Sequence, residues 1–279
     1  MSFSASSLCR EVDSAVDRAF APLRAEAAVR LSNLKILGNV NRFVVSRMGS
    51  TGSGWFAKLL DAHPEVHCTH EGFMAQAYPT DQFNYQDVLR FLEYFAWDTK
   101  HEAYPVLGDV GSVLWYHLAS LPCFTKGILV RHPARLLNTR LKVYPSYQKF
   151  ANVPDESQIA IREMWGIQLN QLEPIDQVFL NDTFVFASQV GALDDVDAVI
   201  RIEDMSDVEK CQTALKSLTG FEYSQALVEQ ATQRRVNRRT DGKQSIPEIV
   251  AGFTVRQRDW YNQFLTDIVP YFGYELMNG

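Results

Sequence analysis

The four cysteines of this sequence, Cys9, Cys68, Cys123 and Cys211, lie far apart and form no CxxC pair. That argues against a zinc or thiol-redox motif and suits small, buried, reduced side chains. Positive charge is also scarce. With 27 Lys and Arg against 33 Asp and Glu the formal net charge is −6, so no general attraction to nucleic acid, heparin-like polyanions or anionic membranes is expected. Long hydrophobic runs are missing too: charges recur every few positions in the opening stretch, so neither a secretory signal nor a membrane span is expected there. Together with reduced thiols this points to a cytoplasmic protein.

What is present is enough apolar material for a sizeable core. At 279 residues, 46% hydrophobic and 22% charged, the chain is read as one α/β domain over 41–279 behind an amphipathic lead-in helix within 1–40. Leu8, Val12, Val16, Ala19, Phe20 and Leu23 supply the apolar stripe of that helix, which Pro22 interrupts.

The most informative stretch is Arg42–Pro64, RFVVSRMGSTGSGWFAKLLDAHP. A β-branched and aromatic run (Phe43, Val44, Val45) leads through a glycine- and hydroxyl-rich turn into apolar residues at helical spacing (Trp55, Phe56, Leu59, Leu60). Strand, loop and helix in that order make an anion cradle, because N–H groups opening the helix point outward beside its positive dipole end. Gly49 to Gly54 copies the spacing of a Walker A loop, but Trp55 and Phe56 stand where its lysine and hydroxyl residue belong. Nothing is then supplied for a γ-phosphate or for magnesium, which disfavours an ordinary kinase or ATPase. Taken alone, the turn suits an unliganded βα connection equally well.

Further along, Val66–Phe73 suggests a second strand that delivers His70 and Glu71 near its carboxyl end, where open α/β sheets gather ligands. Either side chain can take a proton there, and in an extended segment the two face opposite ways. Tyr85–Trp97 reads as an aromatic-rich helix, Pro105–Asp109 and Val113–Leu121 as a strand and a helix, and Gly127–Val130 as a strand ending at Arg131. The helix from about Ala134 carries Thr139, so an arginine and a hydroxyl from one βα unit can meet a single phosphate; a salt bridge and a surface hydroxyl are the plainer readings. A long helix is expected around Ser157–Leu172, a strand at Ala198–Ile202, and helices near Val208–Leu218, Ser224–Gln233 and Val255–Phe272, the last bent or ended at Pro270. Arg234–Lys243, with five cations in ten residues, is the one dense basic segment. Around Asp241-Gly242 it reads as a loop able to close on a polyanion, or simply as a solvated one.

Together these segments resemble the sulfotransferases that use 3′-phosphoadenosine 5′-phosphosulfate (PAPS). Thr51-Gly52-Ser53, the apolar helix and His63-Pro64 are similar to that family's 5′-phosphosulfate loop and LLxxHP. Ile128–Thr139, ILVRHPARLLNT, resembles its 3′-phosphate motif, Arg201-Ile202-Glu203-Asp204-Met205 its R-x-E-D-L segment, and Phe272-Gly273-Tyr274 its terminal lGY. The likeness runs in order from Arg42 to Glu275. It implies a three-layer α/β/α fold of P-loop nucleotide-binding type, with a central parallel sheet and helical additions.

It also implies sulfuryl transfer from PAPS to a hydroxyl or amine of a small-molecule acceptor, with PAP as product, no metal, no nucleic acid partner, and room for a homodimer. By the resemblance, Ser50, Thr51, Gly52, Ser53, Gly54 and Trp55 hold the 5′-phosphosulfate and Arg131 and Thr139 the 3′-phosphate. Arg238, Arg239, Gly242 and Lys243 would cover the nucleotide. The family's basic residue before the loop falls on Ser50, so Arg47, three positions earlier, is the charge stabiliser closest in sequence. Glu71 matches the family's glutamate base by location, with His70 as the second choice. Two other readings stay open: a nucleotide-binding protein of the same fold without catalysis, and a divergent P-loop kinase.

Overall fold

The computed structural model describes residues 41–72, 103–115, 118, 121, 124–143, 155–233 and 244–275. The lead-in helix, Tyr85–Trp97, Cys9 and Cys123, and the basic segment with Arg238, Arg239, Gly242 and Lys243 lie outside them. The described chain divides into two compact units. One holds the described residues up to Val130 and from Ala192 to Gln233; the other holds Arg131–Gly191 and the residues from 244 onward.

The first unit is built on five strands: β1 (Asn41–Arg47), β2 (Val66–His70), β3 (Val106–Val110), β4 (Thr125–Val130) and β5 (Ala198–Arg201). They lie in the order β2-β3-β1-β4-β5, and all pairs are parallel. From β1 the chain goes to the edge for β2, returns to pair β3 between β2 and β1, then crosses to the other side for β4 and β5, so the order reverses between β1 and β4. Crevices at such reversals, outside the carboxyl ends, are where open parallel sheets place ligands. The carboxyl end of β1 is followed by the glycine loop and that of β4 by Arg131.

Alternation along the strands decides which residues the helices cover. Phe43, Val45, Val66, Val110, Leu129 and Ile200 share one core with α1 (Ser53–Leu60), α5 (Val208–Thr219) and α6 (Gln225–Gln233), through Phe56, Leu59, Leu60, Leu215 and Val228. Tyr223 enters the same core and spends its hydroxyl on the Leu60 carbonyl at 2.7 Å. The alternate residues Val44, Leu107 and Ile128 are buried as well, so both faces of the sheet are covered, as a parallel sheet requires. The α/β class with a central parallel sheet, expected from the sequence, is the class found. Gly108 sits in β3 for a packing reason: a Cβ there would fall 1.9 Å from the Phe43 ring.

The second unit is helical: α2 (Pro133–Val143), α3 (Asp155–Trp165), α4 (Pro174–Ser188), α7 (Ile246–Ala251) and α8 (Val255–Leu265). The Trp165 ring stacks on Phe264 at 3.9 Å, and Phe179 meets Phe253 edge-on at 5.2 Å. A half-buried Arg140 reaches the buried Asp182 at 2.7 Å, joining α2 to α4.

Several element boundaries differ from the sequence reading. The helix expected over Ser157–Leu172 ends at Trp165, because Gly166 takes a left-handed φ of 68° and a separate 3-10 turn follows at Leu169–Gln171. The Val255–Phe272 helix ends at Leu265, and Pro270 lies in its own 3-10 turn, Val269–Phe272. α4 was not foreseen. Nearly all its faces are buried (Val178, Phe179, Leu180, Phe184, Phe186, Ala187), which leaves no amphipathic stripe to read. Among the described residues no helix is long and apolar enough to cross a membrane.

Candidate functional site

In the first unit, the candidate side chains gather at the carboxyl ends of β1, β2 and β3. β1 runs to Arg47, two residues beyond the β-branched run, and a turn follows in which Thr51 Oγ1 donates to the Met48 carbonyl at 2.9 Å. Gly52 caps α1 at φ 86°, a left-handed backbone that suits glycine. Space is tight there as well: a Cβ on Gly52 would come within 3.2 Å of Ile202, in the segment after β5. Gly52 O accepts from both Trp55 N and Phe56 N at 3.1 Å. The amide of Trp55 is therefore engaged within the helix, and its ring is buried, donating from Nε1 to Ala231 O at 3.4 Å. Among the residues expected to cradle an anion, Trp55 acts as packing in this state. Ser53 and Gly54 occupy the first turn, where N–H groups have no carbonyl partner within the helix.

β2 stops at His70, earlier than the expected Val66–Phe73, and Glu71 turns the chain with φ 50°. Ser50 and Glu71 are the non-glycine residues with positive φ among those described. Such a backbone costs about 1–2 kcal/mol per residue, and residues held this way concentrate at functional sites. The expectation that His70 and Glu71 face opposite ways fails for the same reason: at Glu71 the segment is no longer extended. His70 Nε2 lies 3.8 Å from Glu71 Oε1 and 2.9 Å from Ser53 Oγ. Arg47 completes the group, its guanidinium in direct contact with the Glu71 carboxylate. Gly111, at φ 103°, leaves room for it; a Cβ there would fall 2.8 Å from Arg47 Nε.

Burial and then the positive charge of Arg47 lower the pKa of His70 from 6.5; Asp109 pulls it back up less strongly, and Lys58 adds the smallest lowering. The imidazole is thus neutral at neutral pH and able to accept a proton. A serine hydrolase relay is not formed, since Glu71 approaches the same ring nitrogen that meets Ser53 rather than the opposite one. What the cluster offers is a cation, a carboxylate and a neutral imidazole beside the start of a helix. That set suits anion binding coupled to proton transfer.

The sequence reading missed Asp109. It is almost fully buried in β3 and accepts from Thr69 Oγ1 at 2.6 Å, Gly72 N at 3.1 Å and Ser112 N at 2.8 Å. An aspartate near a strand end followed by glycine and serine was the available signal.

In the second unit, Arg131 and Thr139 do meet: an Arg131 Nη1 proton goes to Thr139 Oγ1 at 3.1 Å. The hydroxyl's own proton goes to the Arg135 carbonyl at 2.9 Å. Thr139 therefore orients the guanidinium in this state, and must rotate to donate to an anion itself. His132 caps α2. Its Nδ1 accepts from Ala134 N at 3.3 Å, Pro133 takes the first helical position, and its ring meets Tyr274 edge-on at 5.0 Å. Two segments of the resemblance, around Arg131-His132-Pro133 and Phe272-Gly273-Tyr274, are thereby in contact. In the third, Arg201 pairs with Asp204 at 2.6 Å, within the first unit.

Burial, with a smaller contribution from Arg135, lowers the His132 pKa from 6.5 to about 4. The unfolded chain takes up this proton near pH 6.5 and the native protein only near 4, so stability is fully present above 6.5 and drains away as pH falls toward 4. The loss is on the order of 3 kcal/mol. Urea midpoints measured across that range should fall accordingly, and His132→Asn, which retains a capping acceptor, should flatten the slope.

No known protein-family profile matches the chain, and no curated protein shows significant sequence similarity to it.

Proposed function

We propose that this protein is a PAPS-dependent sulfotransferase acting on a hydroxyl or amine of a small molecule in the cytoplasm. The observation that carries the reading is the cluster of Arg47, Glu71, His70 and Ser53 at the start of α1, beside a loop with Gly52 and Ser50 in left-handed conformations. Bound PAPS supplies the sulfuryl group. The chain's own residues do the rest: amides of the first turn of α1 hold the 5′-phosphosulfate, and by the resemblance Arg131, oriented by Thr139, is the residue for the 3′-phosphate.

Arg47 offsets the charge that develops on the leaving phosphate, and Glu71 accepts the proton of the acceptor hydroxyl. Arg47 thereby fills the role of the cation that the resemblance leads one to expect at Ser50. His70 holds Ser53 and lies beside the Glu71 carboxylate. In-line transfer needs oriented groups and stabilised oxygens more than covalent help, which such a cluster provides.

The test is thermal. PAP at a hundredfold excess over its dissociation constant stabilises the native state by about 2.7 kcal/mol, visible as a raised Tm, whereas ATP at equal concentration gives a much smaller rise. Equal rises with ATP and PAP would remove the 3′-phosphate role from Arg131.

A further inference from the structure

We propose that Asp109 is the positioning residue of this site, the group that sets Glu71 against Arg47. The inference rests on the reading of Glu71 and Arg47 given above. One carboxylate oxygen of Asp109 accepts from both Thr69 Oγ1 (2.6 Å) and Gly72 N (3.1 Å), bracketing His70 and Glu71 from either side. Glu71 N adds a bond to Val110 O at 3.0 Å. A residue at φ 50° persists only when the chain around it is fixed, and here Thr69 and Gly72, on either side of the His70–Glu71 pair, are tied to one atom.

The other oxygen of Asp109 accepts from Ser112 N at 2.8 Å and so holds the turn containing Gly111, the glycine that gives Arg47 its space. A single buried side chain thus fixes both turns flanking the Arg47–Glu71 contact. Gly72 closes the arrangement from its side, since a Cβ there would fall 2.7 Å from Thr69. No neutral side chain of similar size does the same. An amide in place of the carboxylate presents one acceptor and one donor, and at least one of the two backbone N–H groups then faces the wrong partner.

Asp109→Asn is expected to keep the fold and hold PAP affinity within about twofold, while kcat falls by about a hundredfold, the weight of a misplacement near 1 Å. A general loss of packing does not divide in this way between binding and turnover. The sharper measurement is the double-mutant cycle with Glu71→Gln. If Asp109 acts through Glu71, adding Asp109→Asn to Glu71→Gln lowers kcat only slightly further; if the two losses multiply, the positioning role is overturned.

Should Asp109→Asn not fold, Thr69→Val removes one donor and leaves the buried carboxylate its two backbone partners. It should lower kcat about tenfold with PAP binding intact, and Thr69→Ser should recover most of that loss; an unchanged kcat in Thr69→Val overturns the proposal. Wild-type turnover is measured first. Its absence overturns the functional reading and this role together, whereas active wild type with multiplying losses overturns this role alone.

Discussion

Glu71→Gln is expected to lower sulfuryl transfer to a hydroxyl acceptor by about two to four orders of magnitude, the weight of a general base, and to leave PAP affinity nearly unchanged. The substitution keeps the shape and hydrogen-bonding capacity of the side chain and removes its proton acceptor. His70→Ala is the comparison. Because Glu71 sits in a left-handed turn, the histidine lies on the same side of the chain, 3.8 Å from the carboxylate and bonded to Ser53. It is therefore expected to cost about tenfold, through the loosened contact with the loop, rather than nothing. Near-normal turnover in Glu71→Gln together with an inactive His70→Ala would transfer the base to the neutral imidazole. An amine acceptor that is already unprotonated would blunt the effect, so a hydroxyl acceptor is the appropriate substrate.

The second large effect is on binding. Arg131→Ala should weaken PAP by two to three orders of magnitude, because truncating one partner of a hydrogen-bonded charge pair leaves the phosphate without its counter-charge, at about 2–5 kcal/mol. Affinity for adenosine 5′-phosphosulfate, which lacks the 3′-phosphate, should change little. Arg131→Lys should recover only part of the loss, since a single ammonium cannot reproduce the guanidinium fork that Thr139 orients. Titration calorimetry with the two nucleotides separates these outcomes. Equal weakening of both, accompanied by a lowered Tm, would make Arg131 a structural residue.

Much of the sheet was legible because its strands are short apolar runs bounded by turn residues. The Phe43–Val45 run predicted β1, and Gly127–Val130 predicted β4 to within two residues. The helix with Thr139 and Arg140 was legible from Pro133, which starts it. α4 was hidden by burial on nearly all its faces, and the end of α3 by Gly166, whose left-handed turn a helical pattern does not announce.

Sequence reading named Arg47, His70, Glu71 and Ser53, but not the geometry that brings them together. Sequence spacing placed Arg131 at a strand's carboxyl end and Thr139 two helical turns further on, within reach of one phosphate. It did not reveal that Thr139 spends its proton on Arg135, or that Arg47 reaches Glu71. The latter depends on Glu71 leaving the extended region and on Gly111 making room, at two turns that each hydrogen-bond to Asp109, the first of them following a different strand. The orientation of His70 was misread for the same reason.

The most direct test of the central claim is mass spectrometry of a metabolite library incubated with the protein and PAPS. The account predicts a product carrying one added SO3, formed only when PAPS is present and diminished in Glu71→Gln. PAP binding with no such product across hydroxyl and amine acceptors would contradict catalysis and leave a nucleotide-binding protein; magnesium-dependent turnover of ATP would contradict the account altogether.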